Sequence, residues 1–154
     1  MAVSREQIQT QRYLKDLDPR FLDVLLGCAD EIYCEAGDCL FQLGGKAEAF
    51  YLLKQGVIAL EIHSAQRGTI TIQTLRSGDL VGWSWLFPPH KWHFDAHVLE
   101  TAELIRFDAR AFLAACEADH EMGYQMQQRF ARIMLDRLQF TRLQLLDIYG
   151  TGPR

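Results

Sequence analysis

The sequence predicts a mainly β protein with flanking helices. The core is a double-stranded β-helix (jelly-roll) barrel, preceded by short N-terminal helices and followed by a long C-terminal helix. Three observations carry this expectation. Glycines at 37, 44, 45, 56, 68, 78 and 82 punctuate the stretch 31–107, about every 8–12 residues, as in all-β chains with tight turns. Runs such as ITIQTL, residues 70–75, alternate β-branched and polar positions, as a strand with one buried face does. After Phe107 the apolar period lengthens to the three and four of helices.

Residues 5–17 place Ile8, Tyr13, Leu14 and Leu17 among polar neighbours, a weak helical pattern. Asp18-Pro19 pairs an N-cap with proline at the first helical position. The helix it opens runs through Phe21, Leu22, Leu25 and Leu26 and stops at Gly27. Strands are expected at 31–35, 39–42, 49–54, 57–63, 69–75, 94–99 and 102–107. In the fourth of these, Ile58, Leu60 and Ile62 point inward. Asp108 caps a helix over 109–118 with Phe112, Leu113 and Cys116 on one side, and a second helix runs from about 119 to 149. The chain so divides into an N-terminal helical segment 1–28, a β-roll 29–108, C-terminal helices 109–150 and a tail 151–154.

The last helix carries two apolar stripes. Phe130, Met134, Leu138, Thr141, Leu145 and Ile148 recur at intervals close to a coiled-coil seam. Met126, Ile133, Phe140 and Leu143 form the other. One stripe lies on the barrel, and the other calls for a partner, most simply a second copy in a symmetric dimer.

With 154 residues the chain suffices for one domain with a sizeable core. A net charge of −4 gives no electrostatic footprint for nucleic acid. The N-terminus is polar, and no apolar run approaches the ~18 residues of a membrane span. The expected setting is the cytoplasm, without membrane attachment. There Cys28, Cys34, Cys39 and Cys116 stay reduced. Their spacing fits no paired zinc motif, so small buried fillers are expected rather than cluster ligands, and no cofactor is implied. No Ser-His-Asp or Cys-His arrangement has legible spacing, so the chain is not expected to be an enzyme.

The stretch 78–98 concentrates all three tryptophans, two of the four prolines and three of the five histidines. Around it the chain resembles a known family. Asp18-Pro19 with Leu25-Leu26, Glu35-Ala36-Gly37-Asp38, AFYLLKQG over 49–56 and Gly78-Asp79-Leu80-Val81-Gly82 match in order. Together they resemble the cyclic-nucleotide-binding domain, as in the sensor half of the catabolite-activator and fumarate–nitrate-regulator superfamily. The resemblance implies a regulatory or sensory role, a phosphate-binding cassette beginning at Gly82, and a small-molecule effector. Members that bind cyclic AMP have Glu after that glycine and a later Arg-Ser/Thr-Ala run that neutralises the phosphate. Here Trp83 follows Gly82, and Phe94-Asp95-Ala96 stands at the later run, with His93 as the other register. Neither restores the guanidinium a buried phosphate needs. Cyclic AMP binding of the usual kind is therefore not expected, and the effector is unidentified. Transcription factors of this superfamily continue into a helix-turn-helix domain. The chain stops at Arg154, and its last 36 residues carry five basic and four acidic side chains. Direct DNA binding is therefore not expected; an unidentified protein partner is.

Within the cassette, Gly82, Trp83, Ser84, Trp85, Leu86, Phe94, Asp95 and Ala96 are the candidate ligand-binding residues. Two readings stand: the rings fill a collapsed cassette, or they stack on a planar effector. His93, Asp95 and His97 alternate and would share one face of a strand. That makes a metal- or haem-binding jelly roll, sensor or cupin-like enzyme, the alternative.

Overall fold

The computed structural model describes residues 3–150, with side chains through Ile148, so the tail 151–154 lies outside the described residues. The fold is the expected one, mainly antiparallel β with flanking helices, including a long C-terminal helix.

The weak pattern of the N-terminus resolves into α1 (Arg5–Gln9), closed by a capping box between Ser4 and Gln7. It ends early, and Asp16 adopts a φ of 59°. Ile8 buries from α1, and Leu14 and Leu17 bury from the irregular segment that follows it. α2 (Pro19–Gly27) begins as expected, the Asp18 carboxylate accepting from the Arg20 N–H.

Six strands follow: β1 (Ala29–Cys34), β2 (Cys39–Phe41), β3 (Ala49–Ser64), β4 (Gly68–Leu75), β5 (Leu80–Val81) and β6 (Asp95–Asp108). The expected pairs 49–54 with 57–63, and 94–99 with 102–107, are each one strand. Gly56 explains this: at φ +112° it opens an irregularity within β3 instead of a turn. The β3–β6 register shifts before it, between Leu53 and Gln55, across it, between Gln55 and Val57, and after it, between Val57 and Ile58. A Cβ there would lie 2.6 Å from the Thr101 carbonyl oxygen and 2.7 Å from the Ala102 Cα. The two long strands are thus nearly in backbone contact at their common bend.

The strand order is β1-β6-β3-β4, with β2 on β6 and β5 on β3. Leu52, Leu53, Ile58, Val98, Ile105 and Phe107 from β3 and β6 are fully buried. Ile62, expected to face inward, is 39% exposed. It pairs with Ile70 near the end of the β3–β4 hairpin, beyond the reach of the core.

Asp108 caps α3 (Ala109–Ala118) by accepting from the Ala111 N–H, and α4 (His120–Gly150) follows. Met122, Met126, Phe130 and Ile133 bury against the barrel, and Met134 packs at the edge. Beyond it Leu138, Leu145 and Ile148 are 48%, 47% and 70% exposed. The division therefore runs along the helix rather than around it: the first half of both stripes lies on the chain's own core, and the second half of both is bare. Among the described residues no helix is long and apolar enough to cross a membrane.

Candidate functional site

The cassette hangs from β3. The Gly78 N–H donates to the Leu53 carbonyl at 2.8 Å, and the Leu53 N–H to that of Asp79 at 2.9 Å. Asp79 closes the turn by accepting from the Arg76 N–H and pairs with Arg12 from the N-terminal segment. β5 then lies against Tyr51 and Leu52, and Gly82, at φ +88°, turns the chain into a single 3-10 turn, Ser84–Leu86.

That turn drives Trp85 into the core, where it is 1% exposed. Its ring centroid lies 4.9 Å from Phe50, 5.7 Å from Phe112 and 5.3 Å from Phe130. Its indole N–H is satisfied by the Gly82 carbonyl at 3.1 Å. Trp85 thereby joins the cassette to β3, α3 and α4 at once. Trp92 is also buried, stacked on Phe41 at 3.8 Å. Its ring covers Gly82 so closely that a Cβ there would fall 2.6 Å from it. Phe94 completes the group, 6.2 Å from Phe41. The collapsed-cassette reading fits Trp85 and Trp92.

Trp83 is different. It is half-buried, and the Arg137 guanidinium of α4 lies 4.6 Å above its ring. Arg137 also donates to the Leu80 carbonyl, while its buried Nη1 has no hydrogen-bond partner. Burial lowers its pKa to about 10, so the group remains a cation at neutral pH, held over an aromatic face. Sequence reasoning did not single out Arg137. The signal was its position four residues after Ile133, an arginine on a buried stripe.

The three metal candidates are not brought together. β6 begins at Asp95, so His93 precedes the strand and its Nδ1 contacts the buried Ser84 hydroxyl at 3.1 Å. Asp95 accepts from the Leu43 N–H at 2.7 Å and meets His63 Nε2 at 2.6 Å. The Leu43 bond, more than His63, holds its carboxyl below the usual range. His97 faces Glu61 at 3.4 Å instead. His63, three strands' worth of sequence away, was not foreseen; the β3–β6 register that opposes Glu61 to Asp95 brings it there. Among the described residues no group of three His, Cys, Asp or Glu is arranged to hold a metal. The four cysteines are free thiols, and burial raises Cys28 and Cys116 to about 11. Ala96 is buried in the sheet opposite Leu60, while Leu86 is half-buried beside the core.

The described residues thus form a β-roll with a cassette between its fifth and sixth strands and a long helix against it. A family model for the cyclic nucleotide-binding domain matches residues 31–119, more than half of the chain. The chain belongs to that family. It is 32% identical over 73 residues to an uncharacterized protein of Haemophilus influenzae, and the match spans 47% of this chain and 56% of that protein. A cyclic nucleotide-binding domain from Methylobacillus flagellatus KT superposes with a TM-score of 0.80 at 12% identity, over 97% of this chain and 83% of that one. The sensor domain of the transcriptional regulator DNR from Pseudomonas aeruginosa gives 0.69 at 17% identity, over 88% and 91%. At such identities the two structures speak to the fold alone.

Proposed function

We propose that the chain is a regulatory or sensory module that does not take cyclic AMP in the usual way and reports its cassette through α4. The observation that carries this reading is the contact between Trp83 and Arg137 at 4.6 Å. The side chain at the position where cyclic-AMP-binding members have Glu is instead engaged by the chain's own helix. Movement of Trp83 would release Arg137 and the hydrogen bond it donates to Leu80, so the cassette and the helix are coupled through one buried cation. Trp92 over Gly82 and Phe94 beside Phe41 further support a cassette filled by its own rings. Calorimetry is expected to detect no binding of cyclic AMP or cyclic GMP in the low micromolar range; a constant of that size for either would overturn the reading.

The second element of the proposal is a homodimer through α4. Met134, Leu138, Thr141, Leu145 and Ile148 keep seam spacing over the exposed half of the helix, which suits a copy of the same helix. Phe130 is covered by its own chain, so the seam would begin after it. Leu138→Glu together with Leu145→Glu is expected to halve the mass in sedimentation velocity without loss of β-sheet signal. An unchanged mass argues against this dimer.

A further inference from the structure

The loop after the cassette's 3-10 turn rejoins the β-structure at an isolated antiparallel bridge between Lys46 and Lys91. The Ala47 N–H donates to the His90 carbonyl at 2.8 Å, and the Trp92 N–H to the Gly45 carbonyl at 2.9 Å. These flanking bonds make the lysines a non-hydrogen-bonded pair, the arrangement with Cα atoms about 4.5 Å apart and side chains on one face. Like charges directly opposite each other destabilise such a pair. The ion pairs of the described residues involve other basic side chains and leave Lys46, Lys91 and Arg110 out.

Both lysines line a groove of about 800 Å³ between the loop and α3, with Pro89 and Leu113 as apolar surface over the buried Trp85, and with Arg106 and Arg110 on its wall. Lys46 and Arg106 also border an adjoining cavity of about 420 Å³. Three carboxylates share the larger groove, Glu48, Asp108 and Glu117. That of Asp108 is already engaged in capping α3.

We propose that this groove is a second ligand site, on the outside of the cassette, for a small phosphomonoester. Its phosphate lies between Lys46 and Lys91, and its apolar body rests on the surface formed by Pro89 and Leu113. A phosphomonoester carries about −1.5 to −2 charges near neutrality, so one group offsets both ammoniums and removes their repulsion. A dicarboxylate shares the double charge but not the compact tetrahedral head that two closely rooted lysines can grip together. The binding groups, Lys46, Lys91, Pro89 and Leu113, lie outside the candidate cassette residues, so the site stands whether or not the cassette binds anything.

The test titrates the intact protein with phenyl phosphate, inorganic phosphate and succinate, following tryptophan fluorescence and the melting temperature. Phenyl phosphate is expected to give a saturable change with a Kd of about 1 mM and to raise the melting temperature. Inorganic phosphate should bind more weakly, because it leaves the apolar surface uncovered. The double variant Lys46→Gln, Lys91→Gln should weaken phenyl phosphate at least about tenfold, the scale of one lost charge-assisted bond. Without ligand it should melt no lower than the parent, which also shows that it folds. The absence of a saturable signal in the parent, or equal affinity in the variant, overturns the site. Succinate binding more tightly than phenyl phosphate overturns its assignment to phosphomonoesters.

Discussion

Trp85→Ala is expected to lower the free energy of unfolding by about 3–5 kcal/mol, the range for emptying a large aromatic site in a packed core. The ring is 1% exposed and makes edge or stacked contacts with Phe50, Phe112 and Phe130. These neighbours belong to β3, α3 and α4, so no single element can shift to refill the space. The loss is read as a lower urea midpoint at unchanged slope. Trp85→Phe should recover most of it, forfeiting chiefly the indole bond to the Gly82 carbonyl. A loss for Trp85→Ala below about 0.5 kcal/mol, the ordinary range of a surface change, would show that the cassette turn is not anchored in the core.

Gly56→Ala is expected to cost about 3 kcal/mol, the upper end for a side chain forced into a glycine-only conformation. Conformation is only part of the cause. The added methyl would meet the Thr101 oxygen and the Ala102 Cα, both backbone atoms of β6, which cannot retreat without opening the ladder. Gly37→Ala supplies the control. Its φ is +98°, but nothing lies within 4 Å of the new methyl. The same denaturation measurement should therefore show a clearly smaller loss there. Equal losses at the two positions would mean that the close approach of β3 and β6 carries no energetic weight.

Much of this fold is legible in the sequence because its signals are local. Asp18-Pro19 and Asp108 begin their helices as capping chemistry requires. The 68–75 strand follows from its alternation. The strand count was less legible, because a glycine at a turn and a glycine at an interruption within a strand look alike until the partner strand is known. The cassette shows the same limit. Its address could be found from GDLVG, whose glycines have defined backbone work. Which of its tryptophans packs inward, and which faces a cation, depends on residues 45 to 54 positions away, Phe130 and Arg137 among them. The alternation of His93, Asp95 and His97 was a true feature of the sequence. It failed as a metal site because the strand begins only at Asp95, and because His63 and Glu61 from β3 engage the two residues that do share a face.

Every strand pairs with β3 or with β6, and these two pair with each other. Removing β1, β2, β4 or β5 from its ladder would leave that central pair standing. Separating the central pair would instead split the sheet into two halves, β1 and β2 on β6 and β4 and β5 on β3, with the core between them opened. Amide protons along β1, β2, β4 and β5 can thus exchange through partial openings, whereas those shared by β3 and β6 should exchange only when the whole domain comes apart. The cassette is tied to this hierarchy at both ends, to β3 through β5 and to β6 directly. A bound effector that slows exchange only in the four outer strands would be acting on local openings. One that slows it in β3 and β6 as well would be raising the stability of the domain as a unit.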